Sequence, residues 1–299
     1  MKRLFALAIC LLIAVAGFYK ITEWNQDTLA GEEPIQERLE HRKEELYSKN
    51  AVLFDQNSGE ILLDQQAKQR IHPASMTKIM TAYLVIQNSN DLDESVVVPA
   101  DIFPGLEEEN ASMAGFLPGE HTNVRDLLYG VLLPSGAEAC QTLAIKVSGS
   151  EEAFVNLMNE EAKRLGMSDT HFTNSTGLDD EDHYSSVYDI GLLLREALKD
   201  EIFSEIFQTE TYLTSVSNLH PDGFVMNSTM RQTMEQHDLT DDHLLGGKTG
   251  YTPEAGLCLA SLAEVQGKRY LFVSAGANGD SETEPFHIVD AIKVYDMLS

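Results

Sequence analysis

Ser75 and Lys78, in the stretch Ile71 to Tyr83 (IHPASMTKIMTAY), stand three residues apart at what reads as the start of a helix. Pro73 suits a first helical turn, and Met76, Ile79, Met80, Tyr83 and Leu84 recur at spacings of three and four, the pattern of a helix with one packed face. Ser75 and Lys78 would then share a face. A serine hydroxyl is a weak nucleophile until a base takes its proton, and an amine can be that base if burial keeps it neutral. The unpaired N–H groups of a helix start would also favour negative charge developing at Ser75. Alone, this spacing is equally that of an ordinary amphipathic helix with a surface lysine, so the assignment depends on what accompanies it.

Two further motifs accompany it. Leu132-Leu-Pro-Ser135-Gly136-Ala137 places a serine at a break between helices, where a side chain can project into a cleft. Gly246-Gly-Lys248-Thr249-Gly250-Tyr251-Thr252 places a lysine and a threonine on a strand beside a glycine. Each is weak by itself. Their order and wide spacing, one on a helix, one in a helical block and one on a late strand, match a serine acyl-transferase site.

The elements that must position these residues can be read from periodicity. Ala51 to Asp55 and Glu60 to Asp64 are short apolar runs separated by Gln56-Asn-Ser-Gly59, a β-hairpin pattern. The Ser75 helix and a short extended run from Ser95 to Pro99 follow. Residues 101 to 122 are rich in Gly, Pro and acidic side chains and read as loop. Asn123 can cap a helix from Val124 to Leu133, a second begins near Ser135, and a third runs from Glu151 to Leu165 with Phe154, Leu157, Met158, Ala162 and Leu165 on one face. A loop from Phe172 to Tyr184 leads to a helix from Val187 to Lys199. Leu244 to Thr252, Leu257 to Leu262 and Tyr270 to Ala275 read as strands, and Phe286, Val289, Ile292 and Tyr295 mark a closing helix. Strands, helical block, strands and helix in that order predict a mixed α/β fold. The early hairpin would rejoin the late strands in one antiparallel sheet flanked by helices, with a helical lobe inserted.

The chain has 299 residues, 43% hydrophobic and 23% charged, the balance of an ordinary globular protein. Its net charge of -27 argues against nucleic acid or an anionic membrane surface as partner. Residues 1–20 read as a leader: Met1-Lys2-Arg3 is basic, Leu4 to Tyr19 carries no charge, and Lys20 closes the run. That exports the chain, either through cleavage after Ala14-Val15-Ala16 or with the run retained as an anchor. Cys10 does not read as a lipidation site. Residues 21–48 (with GEEPIQERLEHRKEEL) read as an acidic linker or solvated helix, and residues 49–299 as one catalytic unit without a further C-terminal β-domain, so that any anchor is N-terminal. Cys140 and Cys258 are compatible with a disulfide or with two buried thiols. The nine histidines are scattered and no Cys/His cluster has zinc-like spacing, so neither metal nor other cofactor is expected.

From about Ala51 onward the chain resembles the penicillin-binding D-alanyl-D-alanine carboxypeptidases. The likeness rests on HPASMTKIMTAYL, LPGEHTNVRDLLYGVLLPSG, FTNSTGLDDEDHYSSVYDI and GGKTGYTPEAGLCLAS. It implies a β-lactamase/transpeptidase-like fold and a substrate, the peptidoglycan stem peptide ending in D-Ala-D-Ala, met outside the cytoplasm. It implies Ser75 as nucleophile, Lys78 as its base and Ser135 as a relay toward the leaving amine. Lys248 and Thr249 would bind the terminal carboxylate, Gly250 would admit the peptide to the strand edge, and the backbone N–H groups of Ser75 and Tyr251 would form the oxyanion hole. β-Lactams would acylate the same serine. A β-lactamase, or a module that binds D-Ala-D-Ala ends without turning them over, are the competing readings. One departure is plain: the family's second motif is Ser-x-Asn, and here Ala137 stands where the amide should be. Glu138 beside it points about 100° away on a helix and is not a simple substitute.

Overall fold

The computed structural model describes residues 43–280 and 282–299, together with residues 35, 38 and 39. The expected leader lies outside the described residues. Among them, no helix is long and apolar enough to cross a membrane.

Strands β1 (Asn50–Asp55) and β2 (Ile61–Gln65) form the hairpin read from the sequence. The late strands are β7 (Leu244–Thr252), β8 (Gly256–Val265) and β9 (Lys268–Ala277), and the five form one antiparallel sheet in the order β2-β1-β9-β8-β7. β1 pairs with β9, Asn50 opposite Ala275 through Asp55 opposite Tyr270. This is the predicted return of the early hairpin. Both faces of the sheet are covered, and the two-residue period of the strands sorts their side chains accordingly. Val52, Phe54, Ala260, Leu262, Leu271 and Val273 enter the larger core, while Ala51, Leu53, Leu259, Ala263 and Phe272 enter the smaller.

The larger core is roofed by α1 (Lys78–Asn88), α3 (Val124–Leu132), α4 (Ala137–Ser148), α5 (Glu151–Leu165) and α6 (Val187–Ala197), with α2 (Phe103–Glu108) and α7 (Glu201–Gln208) at its margin. Caps set several of the boundaries. Asn123 accepts from the Asp126 N–H, Ser150 from Ala153 and Ser186 from Asp189. The smaller core lies under α9 (Phe286–Asp296) and α8 (Thr229–Gln236). Two small ribbons complete the fold: β3 (Ser95–Val97) with β4 (His121–Asn123), and β5 (Thr211–Leu213) with β6 (Val225–Asn227).

The structure departs from the sequence reading in five places, one of them α7, where the sequence reading placed no helix. Ser75 lies on a 3-10 turn, Ala74–Thr77, and the α-helix begins only at Lys78. Ala74 has φ +46°, which breaks the helical path before Ser75. Residues 101 to 122, read as loop, contain α2 and β4, because their apolar residues are too few for a period to show. The ribbon β5–β6 and helix α8 have the same origin: three-residue strands and a short polar helix carry no periodic signal. The described end of the expected linker also packs on the domain. Leu39 is fully buried in the smaller core, Tyr47 and Ser48 donate their N–H groups to the Asp290 carboxylate at 3.0 and 2.8 Å, and Tyr47 stacks on Phe286.

Tyr295 ties α9 to the sheet. Its buried hydroxyl accepts the Phe272 N–H at 3.0 Å and pairs with the Ser261 hydroxyl at 3.0 Å. Tyr295→Phe keeps the packing and leaves that amide unsatisfied, so unfolding stability should fall by about 1–3 kcal/mol. The urea midpoint should drop with an unchanged slope.

Candidate active site

The 3-10 turn brings Ser75 and Lys78 together as its own geometry requires, since residues i and i+3 eclipse on such a turn. Lys78 Nζ donates to Ser75 Oγ at 2.9 Å and to the Thr176 carbonyl at 2.7 Å. Lys78 is buried, and burial lowers its proton affinity, opposed by Cys140 and the Glu138 carboxyl. The carbonyl that holds it belongs to a turn folded by Asn174, whose Oδ1 accepts from Thr176 N, Thr176 Oγ1 and Gly177 N. Gly177 has φ +83°, and a Cβ there would lie 1.9 Å from the Ala74 carbonyl oxygen, so only glycine lets this turn sit against the Ser75 turn. The likeness of this segment was legible in the sequence, but not that its backbone would grip Lys78.

His183 is a strut behind the same turn. Its Nδ1 accepts from the Thr173 N–H at 3.0 Å, so Nε2 carries the proton and donates to Thr77 Oγ1 at 2.8 Å. Burial pushes its pKa down to about 4, which keeps the ring neutral and this pattern intact at neutral pH.

Strand β7 forms the opposite wall. It is an edge strand of the sheet, so its outer side carries no sheet partner. Lys248 is fully buried and donates from Nζ to the Thr249 carbonyl at 2.9 Å. Its proton affinity is lowered well below the usual value, by desolvation first and then by the Lys78 charge. Thr249 Oγ1 pairs with Thr229 Oγ1 at 2.7 Å, a partner on α8 that no sequence signal marked. A Cβ at Gly250 would stand 3.1 Å from both Ala74 Cβ and the Ser75 nitrogen, a tight contact that glycine avoids where the strand approaches the serine. Tyr251 is exposed at the cleft.

Two adjoining cavities meet at Ser75. One, of about 350 Å³, is lined by Lys78, Ala137, Thr176, Asp179 and Thr252; the other, of about 410 Å³, by Ser135, Thr229, Thr249, Gly250 and His287. Ser75, Asn110, Ser112 and Tyr251 line both. Ser135, at φ +69° between α3 and α4, is buried with its hydroxyl unpaired among the described residues. Such a backbone costs on the order of 1–3 kcal/mol and persists where surrounding structure holds it, as function often requires. Ala137 is buried and offers the cleft a methyl group. Glu138 turns away, accepting at Oε1 from the N–H groups of Ala114, Gly115 and Phe116 at 2.7, 2.9 and 3.2 Å.

The chain and its fold have counterparts among known proteins. The D-alanyl-D-alanine carboxypeptidase family, peptidase S11, matches residues 37–279. The chain belongs to this family. It is 38% identical over 240 residues to the D-alanyl-D-alanine carboxypeptidase DacF of Bacillus subtilis, covering 79% of this chain and 59% of that one. To DacC of Escherichia coli it is 34% identical over 237 residues, 77% of this chain and 56% of the other. The chain thus spans less than three-fifths of the length of these two relatives. The Streptomyces K15 DD-transpeptidase superposes with a TM-score of 0.75 at 27% identity, covering 84% of this chain and 97% of that structure. The fold is the mixed α/β, β-lactamase/transpeptidase-like one expected.

Among the described residues no group of His, Cys, Asp and Glu side chains is arranged to hold a metal ion. Cys140 and Cys258 are separate buried thiols, each with its pKa pushed up to about 12 by burial. Brief treatment of the native protein with iodoacetamide near pH 8 should therefore leave both unmodified, and denaturation should expose both. Peptide mapping by mass spectrometry reads the outcome; a Cys140–Cys258 disulfide would overturn it.

Proposed function

We propose that the protein is a serine D,D-carboxypeptidase that removes the terminal D-alanine from peptidoglycan stem peptides. The observation that carries this reading is the Lys78 Nζ to Ser75 Oγ contact of 2.9 Å in a cleft whose facing strand carries a second buried lysine. In this reading the stem peptide pairs with the open edge of β7, and its terminal carboxylate lies against Lys248 and Thr249. Thr229 orients the Thr249 hydroxyl. Ser75 Oγ attacks the carbonyl between the two D-alanines while Lys78 takes its proton. The oxyanion is held by the N–H groups of Ser75 and Tyr251. The C–N bond then breaks, Ser135 relays a proton to the departing amine, and D-alanine leaves. Water adds to the ester, and Ser75 regains its proton as the shortened peptide departs.

The two lysines divide the electrostatic work. Burial disfavours charge on both lysines, and a charge on Lys78 depresses Lys248 further. A substrate carboxylate beside Lys248 favours charge there, which frees Lys78 to act as base. β-Lactams, which present a strained amide and a carboxylate to the same groups, acylate Ser75. The basic, then apolar leader supports an extracytoplasmic location, secreted or held at the membrane by residues 1–20. Ala137 favours one second reading, a module that is acylated but turns over poorly.

Purified protein is expected to release D-alanine from diacetyl-Lys-D-Ala-D-Ala and to gain the mass of benzylpenicillin, and Ser75→Ala to do neither. D-Alanine release by Ser75→Ala would overturn the mechanism, acylation without release would select the poorly turning-over module, and rapid penicillin hydrolysis would select a β-lactamase.

The pH dependence has a definite sign. Acylation needs Lys78 neutral, so its rate should rise with pH along a limb centred below 10.5, the ordinary lysine value. Stopped-flow acylation by a chromogenic β-lactam measures it; a limb centred at or above that value would remove Lys78 as the base.

A further inference from the structure

We propose that Asn110 supplies, from the loop after α2, the side-chain amide that the second motif lacks at Ala137, and that it binds an amide group of the acyl half of the substrate. This rests on the carboxypeptidase reading of Ser75.

The cavity lined by Lys78 and Ala137 has to accept a peptide whose own amide groups leave water as it binds. Ala137 meets them with a methyl group, and Glu138 is turned away into the N–H groups of residues 114–116. A buried peptide carbonyl or N–H without a partner binds poorly. Asn110 stands on this same wall. With Ser75, Ser112 and Tyr251 it lines both cavities, so it lies where they join and where the bond to be cleaved must sit. Its side chain is exposed, and among the described residues it has no hydrogen-bond partner. An amide offers both donors and an acceptor, which suits a peptide unit and not a lone charge.

The loop is fixed at both ends. Asn110 ends α2 in the left-handed region, φ +49°, with its N–H bonded to the Glu107 carbonyl at 3.2 Å and the Ala111 N–H to that of Leu106 at 2.9 Å. Glycine is the usual residue for such a cap, and asparagine is the one that fits while keeping an amide. Beyond it, the Ala137 N–H donates to the Ser112 carbonyl at 2.8 Å, and Glu138 holds residues 114–116. The two residues after Ser135-Gly136 therefore grip the loop that carries Asn110. Its amide reaches the cleft from a different segment than the helix that begins at Ala137.

The test exploits the cap. Asn110→Gly retains a residue suited to positive φ and deletes only the amide. It should lower kcat/KM for D-alanine release from diacetyl-Lys-D-Ala-D-Ala, and the acylation rate with benzylpenicillin, on the order of tenfold, with an unchanged thermal midpoint. Acylation by 6-aminopenicillanic acid, which has no acyl side-chain amide, should change less than twofold. Adding Ala137→Asn to Asn110→Gly should recover most of the loss. Equal losses with both penicillins, or full activity in Asn110→Gly, would overturn the assignment of Asn110 and leave the role of Ser75 intact. Failure of the wild-type protein to release D-alanine or react with benzylpenicillin would instead overturn the carboxypeptidase reading on which it rests.

Discussion

Two ammonium groups buried against one cleft are the constraint on which the rest of the structure depends. Taking a lysine out of water costs several kcal/mol unless its charge is compensated or its proton is lost. Neither Lys78 nor Lys248 forms an ion pair with a carboxylate among the described residues; they donate instead to Ser75 and Thr176, and to Thr249. Their environment favours the neutral amine, the form that can take a proton from a hydroxyl. An amine able to act as a base here is a consequence of burial, and burial requires the core around it.

Much of the fold serves that burial. The five-stranded sheet sets Lys248 on an edge strand, and α1 presents Lys78 at its first residue directly after the 3-10 turn. The space between is closed by the turn at 174–178, held by Asn174 and by hydrogen bonds from Ser175 to Glu151 and from Thr81 to the Ser175 carbonyl. Gly177 lies too near the Ser75 turn for a side chain, and Gly250 lies near enough that a Cβ would require its neighbours to shift. Ala74 and Ser135 hold left-handed backbone at the same place. Such left-handed backbone stores local strain, and the surrounding core sustains it.

The second motif illustrates how a deficit in one segment can be met by another. A helix residue can project only its own side chain, and Ala137 has little to project. By contrast its backbone N–H and the neighbouring carboxylate of Glu138 hold a loop, and that loop borders both cavities. Nothing in the spacing of residues 107 to 112 marks them as part of a site, because the grip crosses more than twenty residues of sequence.

Elements with a long, strong period were legible in the sequence alone: the hairpin, α3, α5, α6, the late strands and α9 all lie near where apolar spacing and caps put them. So were Ser75, Lys78, Ser135 and the Lys248 motif as candidates, since residue type and order are properties of the chain. Short or polar elements, α2, β4, α8 and the β5–β6 ribbon, were not, because their stability comes from what they pack on. What tertiary structure alone decided is that Ser75 sits on a 3-10 turn, that a carbonyl from Thr176 holds Lys78, that Thr229 meets Thr249, and that Asn110 reaches the cleft beside Ala137. Those are contacts between segments remote in sequence. They depend on distances that a one-dimensional pattern does not carry, and only the closing of the sheet and its helices brings them within reach.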